Sequence, residues 1–293
     1  MRHLRRIVVL LLCTLAAGCT SLLFYPTADH VMTPDVIGLD YRDVTFTASD
    51  GTQLHGWFLP AAEKPGGTIV FVHGNAENIS THIASVAWLP AEGFNVFLFD
   101  YRGFGKSTGE ATLDGLHLDT IAAVDTAFTL DGVDPSRVVV FGQSLGGSVA
   151  ITALARSPRH ADIRALVVEG AFSSYRLIAQ EKLSEFWPTW LFQVPLSYTI
   201  DNHYHPDDDI SAIAPTPVLI VHGEEDRIVA PRHARDLYAA AMPPKVLWLV
   251  PGASHIQAFQ IAEMRKRFVG YLNDCAFGGA QGDRLPEACT GAR

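Results

Sequence analysis

The sequence predicts an α/β fold in which helices cover both faces of a mostly parallel, eight-stranded sheet. Short, continuous apolar runs recur along the chain, and strands that are buried on both faces have this pattern. Longer segments with helical periodicity separate the runs, as in sheets whose parallel strands are joined by helices. Polar and glycine-rich motifs directly follow several runs, where the carboxyl ends of parallel strands meet in one crevice.

An antiparallel hairpin is predicted to begin this sheet. Residues 41–48 and 53–59 carry alternating apolar side chains, and Ser49-Asp50-Gly51 between them is a hairpin turn signal. The other six strands are predicted at residues 68–72, 94–99, 138–141, 164–168, 217–221 and 245–250. Helices are predicted at residues 79–91, 113–130, 145–156, 231–242 and 256–272. Residues 41–273 therefore form one predicted domain, with no internal repeat.

The strand at residues 138–141 leads directly into Gly142-Gln143-Ser144-Leu145-Gly146, and a helical pattern follows at once. A serine at such a sharp turn has an exposed hydroxyl beside the N–H groups of a helix N-terminus. The residues on either side of the turn must be small, because the strand and the helix pass close together. The pattern predicts that Ser144 is a nucleophile, and the alternative is a purely structural turn.

A serine hydroxyl needs a base at neutral pH, and the base needs an acid to orient it. His255 follows the last predicted strand, and Asp226 follows the strand before it. All three side chains can meet because each lies on a loop at the carboxyl end of a parallel strand. Glu224 and Glu225 beside Asp226, and Glu169 at the end of an earlier strand, are alternative acids.

From about residue 41 to residue 273 the chain resembles single-domain α/β-hydrolases. It is similar to the branch that contains monoacylglycerol-lipase-like enzymes and eukaryotic depalmitoylases. The motifs that carry the resemblance are His73-Gly74-Asn75-Ala76, residues 100–107, residues 142–147, His222-Gly223 with Asp226, and residues 252–255.

The resemblance implies a role for each matching residue. Ser144 would be the nucleophile, His255 the general base and acid, and Asp226 the orienting acid, selected by the family's His-Gly-x-x-Asp spacing. The backbone N–H groups of Asn75 and Leu145 would form the oxyanion hole.

The implied activity is hydrolysis of ester or thioester bonds in small or acyl-chain substrates, through an acyl-enzyme and with no cofactor or metal. One alternative is a serine peptidase of the prolyl-oligopeptidase type, although such enzymes usually carry a second large domain. Another is a non-catalytic envelope binding protein, which would be expected to have lost a member of the triad. All three members are present.

An insertion at residues 173–210 separates two strands whose connection is usually shorter. It is predicted to form a cap over the active site, because inserted loops on such scaffolds often carry specificity. The alternative is that its aromatic side chains form a small core of their own. The residues expected to line the substrate pocket are Phe172, Phe186, Trp187, Trp190 and Phe192.

The N-terminus has the pattern of an export signal. A basic start precedes a short apolar run at residues 7–17, which has the length of a signal-peptide core. The end of this run resembles a bacterial lipobox whose last residue is Cys19. It departs from the usual pattern in having Ala16 at the position where leucine is usual. Residues 1–18 are therefore the predicted signal peptide, and residues 19–40 are a lipidated N-terminus and linker. We expect a membrane-anchored lipoprotein facing the periplasm, or alternatively a secreted soluble protein.

The net charge, the cysteines and a histidine-rich segment bear on possible partners, a disulfide and a metal site. The formal net charge is −9, and no basic cluster occurs after the N-terminus, so a nucleic-acid partner is not expected. In the tail at residues 274–293, Cys275 and Cys289 could form a disulfide in an oxidising compartment or remain free thiols. His203 and His205 lie near three aspartates, but their spacing fits no known metal site and a solvated loop is expected.

Overall fold

The computed structural model describes residues 24–185, 187–190, 193–198, 203–278, 289 and 291–292. Within these residues one sheet contains nine strands in the order β1-β2-β4-β3-β5-β6-β7-β8-β9. Their bounds are β1 Arg42–Thr47, β2 Gln53–Leu59, β3 Gly67–Val72, β4 Phe94–Asp100, β5 Val138–Gln143, β6 Ala165–Glu169, β7 Val218–Gly223, β8 Lys245–Val250 and β9 Gly291–Ala292. All eight predicted strands are present, and the prediction of an α/β-hydrolase fold is confirmed.

Only the start of the sheet is antiparallel. Strand β1 pairs antiparallel with β2, and β2 pairs antiparallel with β4. Every other pairing in the sheet is parallel. Strand β3 lies between β4 and β5, so the chain reverses its direction of travel across the sheet at this point. The loops that follow β3, β5, β6, β7 and β8 consequently share one edge of the sheet.

Helices lie on both faces of the sheet. Their bounds are α1 Ile79–His82, α2 Leu113–Ala127, α3 Leu145–Arg156, α4 Tyr175–Glu185, α5 Gln193–Ser197, α6 Pro206–Asp209, α7 Arg232–Ala240 and α8 Ala262–Tyr271. Successive strand residues point to opposite faces, so Phe97 and Phe99 belong to one apolar core while Val96 and Leu98 belong to the other. No helix of the described part of the chain is long and apolar enough to cross a bilayer.

Two helix predictions need correction. The helix expected at residues 79–91 is broken into α1 and two short 3₁₀ turns, Ile83–Ser85 and Pro90–Glu92. The break lies at Val86, whose φ of −127° and ψ of −6° leave the helical region, and Pro90 has no N–H to continue the helical hydrogen bonding. The helix expected at residues 256–272 begins late, at Ala262, and continues as a π-helical turn at Leu272–Ala276.

The segment at residues 24–31, here called the strap, is fastened to the domain. Its first side chain, Phe24, is buried. The side chain of Asn78 donates hydrogen bonds to the carbonyls of Thr27 and Asp29, and the N–H of Val31 donates to Ser80 Oγ at 2.9 Å. Residues 24–31 of the predicted linker are thus fastened to the domain. Cys19 and residues 1–18 lie outside the described residues.

The tail is also fastened. Cys275 and Cys289 are joined by a disulfide, with their Cα atoms 5.5 Å apart. The residues just after it form β9, which pairs parallel with β8 and adds a ninth strand to the predicted eight.

Candidate active site

Ser144 lies at the turn between β5 and α3. Its φ of 52° and ψ of −121° are strained for a residue with a side chain. Its N–H donates to the carbonyl of Glu169 at 2.8 Å, which ties the turn to the neighbouring strand β6. The strained backbone turns the hydroxyl away from the sheet and towards the loop that carries His255.

The glycines around Ser144 are required by close packing. A Cβ on Gly142 would lie 2.5 Å from the carbonyl oxygen of Gly146, and a Cβ on Gly146 would lie 2.1 Å from that of Val72. Both distances are far below van der Waals contact. Small residues were predicted at these two positions from the sequence, and the structure supplies the reason.

A continuous chain of hydrogen bonds joins the three residues singled out by sequence. His255 Nε2 lies 2.9 Å from Ser144 Oγ, and His255 Nδ1 lies 2.8 Å from Asp226 Oδ2. The N–H groups of Ile228 and Val229 donate to the other oxygen, Asp226 Oδ1, at 2.8 and 2.9 Å. This arrangement lets the imidazole accept the proton of the serine hydroxyl while a fixed carboxylate orients it.

Asp226 is kept ionised by its surroundings. Burial alone would raise its pKa, but hydrogen bonds from His222 and His255 and from the N–H of Val229 outweigh burial and hold the pKa well below its ordinary value. His222 Nε2 lies 3.2 Å from Asp226 Oδ2 and 2.9 Å from the carbonyl of Val229. His222 therefore helps to hold the Asp226 carboxylate in place, and it was not identified from the sequence as a contact of Asp226.

The alternative acids have other surroundings. Glu224 and Glu225 are exposed. Glu169 is buried and accepts from Gln143 Nε2 at 2.6 Å and from the N–H of Ala258 at 2.9 Å, which fastens the loop after His255 to β6. Burial raises the pKa of Glu169.

Two backbone N–H groups were predicted to stabilise an oxyanion. Leu145 is the first residue of α3, so the helix itself offers no acceptor for its N–H. Asn75 follows β3, and its side-chain oxygen accepts from the N–H of Ala76 at 2.9 Å and from the N–H of Tyr25 at 3.3 Å. The strap thus contacts the loop that carries one of the predicted oxyanion donors.

A cavity of about 430 Å³ opens above Ser144, and its walls are mostly apolar. The strap, the cap helix α4 and the loop after β7 all contribute to it. The described residues that line it are Phe24, Tyr25, Asn75, Leu113, Ser144, Leu145, Phe172, Tyr175, Ile178, Ala179, Lys182, Ile228 and Val229.

The predicted pocket residues divide into three groups. Phe172 lines the cavity. Trp187 and Trp190 do not; they lie beyond the end of α4 and are 84% and 56% exposed, so the expectation that they line the pocket is corrected. Phe186 and Phe192 lie outside the described residues.

The strap residues were missed as pocket residues because they precede the first predicted strand. The one available sequence signal was the aromatic pair Phe24-Tyr25 in a segment without periodicity. Tyr175 and Ile178 were not predicted, because they lie on α4, before the aromatic cluster from which the pocket residues of the cap were predicted.

Comparison with known proteins identifies the family. The family model described as "Serine aminopeptidase, S33" matches residues 63–209. The chain is 39% identical over 241 residues to the uncharacterized protein YfhR of Escherichia coli (strain K12), across 80% of each chain. The chain belongs to this family of α/β-hydrolases. It is also 33% identical to the α/β-hydrolase domain-containing protein WAV2 of Arabidopsis thaliana, across 72% of this chain and 70% of that protein.

Solved structures agree with this membership. The Pyrococcus furiosus esterase Pf2001 superimposes with a TM-score of 0.73 at 25% identity, across 87% of this chain and 98% of that one. The Pyrococcus horikoshii acylaminoacyl peptidase has a TM-score of 0.63 at 16% identity, which shows a shared fold, and the match covers 44% of that chain. The family and the geometry together make this protein a serine hydrolase of the α/β-hydrolase superfamily.

Proposed function

We propose that this protein hydrolyses carboxylic esters or thioesters that carry an acyl chain, with Ser144 as nucleophile. One observation carries the proposal: the hydrogen-bonded chain of Ser144, His255 and Asp226 ends at the floor of a largely apolar cavity. Ligand cavities of roughly 300–1,000 Å³ bury most of a small molecule, so about 430 Å³ suits a short or medium acyl chain.

The proposed reaction has two halves. Ser144 Oγ attacks the carbonyl carbon while its proton moves to His255 Nε2, and the resulting oxyanion accepts from the N–H groups of Leu145 and Asn75. His255 then gives the proton to the departing alcohol or thiol, which leaves an acyl-enzyme. A water molecule, deprotonated by His255, attacks that ester, and collapse releases the carboxylic acid and restores Ser144.

A series of nitrophenyl esters of increasing acyl length tests the proposal. We expect turnover by the wild type, with a maximum at short or medium length, and labelling by a fluorophosphonate probe. Ser144→Ala should lose both. Equal labelling of wild type and Ser144→Ala would show that the nucleophile is elsewhere.

A peptidase is the second candidate, because the matching family model is described as a serine aminopeptidase. An aminopeptidase binds a free ammonium group, which a carboxylate in the pocket would favour. Among the described residues that line the cavity, the charged side chain is Lys182, which pairs with Glu185 at 2.8 Å. The cavity therefore favours an acyl group, and cleavage of aminoacyl-naphthylamides without cleavage of nitrophenyl esters would reverse this ranking.

We further propose that a lipid on Cys19 tethers the protein to the bacterial envelope membrane, facing the periplasm. Phe24, which lines the cavity, follows Cys19 by five residues, and five extended residues span at most about 18 Å. A lipid at Cys19 would hold the cavity close to the membrane surface, where acyl-chain substrates occur. Cell fractionation of Cys19→Ala tests this, and an unchanged membrane fraction would contradict the tether.

A further inference from the structure

A second group of side chains that could bind a ligand meets beneath the strap. His30 comes from the strap, His55 from β2, and Asp100 from the end of β4. Each residue offers one possible ligand atom, a ring nitrogen or a carboxylate oxygen, and these three atoms all lie within 4.8 Å of one another. The three side chains are 6%, 9% and 0% exposed, so they are buried together.

The hydrogen bonding of His55 leaves one ring nitrogen aimed at an anion. His55 Nε2 lies 2.6 Å from Asp43 Oδ1 and must donate there, because a carboxylate only accepts. In the neutral ring, Nδ1 then carries a lone pair. It faces Asp100 Oδ2 at 3.7 Å and has no hydrogen-bond partner among the described residues. Two buried acceptors facing each other repel unless a proton or a metal cation lies between them.

Hydrogen bonds fix the position of the Asp100 carboxylate. The N–H of Ile79 donates to Asp100 Oδ1 at 2.9 Å, and His30 Nε2 lies 2.8 Å from Asp100 Oδ2. Space around Oδ2 depends on Gly105, since a Cβ there would lie 1.9 Å from that oxygen. The contact of Asp100 with His30 joins residues 70 positions apart in the chain.

We propose that His30 Nε2, His55 Nδ1 and Asp100 Oδ2 bind a divalent transition-metal ion of the zinc class. Two ligands of a tetrahedral zinc ion are about 3.3 Å apart, and the separations of 2.8 and 3.7 Å from Asp100 Oδ2 lie on either side of this value. Two imidazoles, one carboxylate and an open position suit zinc. Asp43 is the carboxylate that orients a metal-bound imidazole through its other nitrogen.

The ion would fasten the strap. His30 lies on the same short segment as Phe24 and Tyr25, which line the cavity, and the N–H of Tyr25 donates to Asn75 Oδ1. Metal binding at His30 would therefore stabilise one wall of the cavity. The competing explanation is a doubly protonated His55 between Asp43 and Asp100, with no metal.

Metal content and affinity distinguish these explanations without any substrate, so the result does not depend on the proposed hydrolase activity. The full-length chain is stripped with EDTA and dialysed against Zn²⁺ or Co²⁺ at neutral pH. We expect one Zn²⁺ per chain and visible Co²⁺ absorption bands. His30→Gln and His55→Gln should reduce retained metal to background, and Asp43→Asn should weaken affinity about 10- to 100-fold.

His205→Gln is the matched control, because His205, Asp207 and Asp208 form the other group of possible ligands in the described chain. It should bind as the wild type does. Hydrogen–deuterium exchange on the wild type needs no variant, and Zn²⁺ should slow exchange at residues 24–31. The proposal is overturned if the wild type retains no Zn²⁺, if binding survives both glutamine variants at His30 and His55, or if exchange at the strap is unchanged.

Discussion

The floor and the walls of the cavity are built in different ways. The floor is formed by Ser144, which is hydrogen-bonded to His255 and through it to Asp226. Each of these three residues lies on a loop after a strand of one continuous sheet. The walls come from the strap and from α4, which lie before the first strand and between β6 and β7. Pairing along whole strands of the sheet fixes the floor, whereas a few local contacts fix the strap, namely the β-bridge between Pro26 and Glu77 and the side-chain hydrogen bonds of Asn78.

Because of this difference, the catalytic reaction and the selectivity for acyl length should depend on different segments of the chain. A residue at a strand end can hardly move without disturbing the sheet, so the hydrogen-bonded chain keeps its geometry. A wall made of added segments can change in sequence without disturbing that chain. Substitutions at the floor should therefore affect every substrate equally, and substitutions at the walls should affect substrates according to acyl length.

The largest expected effect is at the floor. Ser144→Ala should lower kcat for every ester by about 10,000-fold or more, because the nucleophile is removed while the cavity is kept. Steady-state kinetics across the ester series measures it, with circular dichroism as the control for folding. A loss confined to long acyl chains would contradict the division between floor and walls.

The second effect concerns the packing under the floor. Gly146→Ala should lower the free energy of unfolding by about 3 kcal/mol or more, because the new Cβ would meet the carbonyl oxygen of Val72 at 2.1 Å. Gly270→Ala is the control: it also lies in a helix but meets nothing within 4 Å. Urea titration should show this variant unchanged or up to about 1 kcal/mol more stable.

The third effect is at a wall. Phe24→Ala should lower kcat/KM for a medium-chain ester about 10-fold and for an acetyl ester far less, because it removes apolar contact with the chain. Trp187→Ala, at an exposed cap residue, should stay within about 2-fold of the wild type for both. Equal effects of the two variants would contradict the assignment of Phe24, and not Trp187, to the acyl wall.

The smallest expected effect is on the pH dependence of stability, through the ionisation of the Asp226 carboxyl group. The pKa of Asp226 is lower in the folded chain than in the unfolded one, so its ionised form stabilises the fold above the unfolded pKa of about 3.9. This contribution is lost as the pH falls below that value. The difference in Tm between wild type and Asp226→Asn should be constant above about pH 5 and should shrink in more acid solution. A difference that grows on acidification would contradict the assigned role of the carboxylate.

Some structural details could be predicted from the sequence because neighbouring residues alone specify them. The turn at Gly142–Gly146 is specified by small residues between an apolar run and a helix, and it was found as expected. Helix α3 begins and ends at the predicted residues for the same reason. The break after α1 was missed, because the backbone leaves the helical region at Val86 within a segment whose periodicity looks continuous.

Taken alone, the sequence determined the order of strands and helices and the loops that carry the serine, the histidine and the acid. It could do so because buried parallel strands have continuous apolar runs and their carboxyl ends meet at one edge. Only the tertiary structure decided that Phe24 lines the cavity, that Trp187 faces solvent, and that His30 meets His55 and Asp100. These contacts join segments far apart in the chain, and no local pattern of side chains specifies which distant residues will pack together.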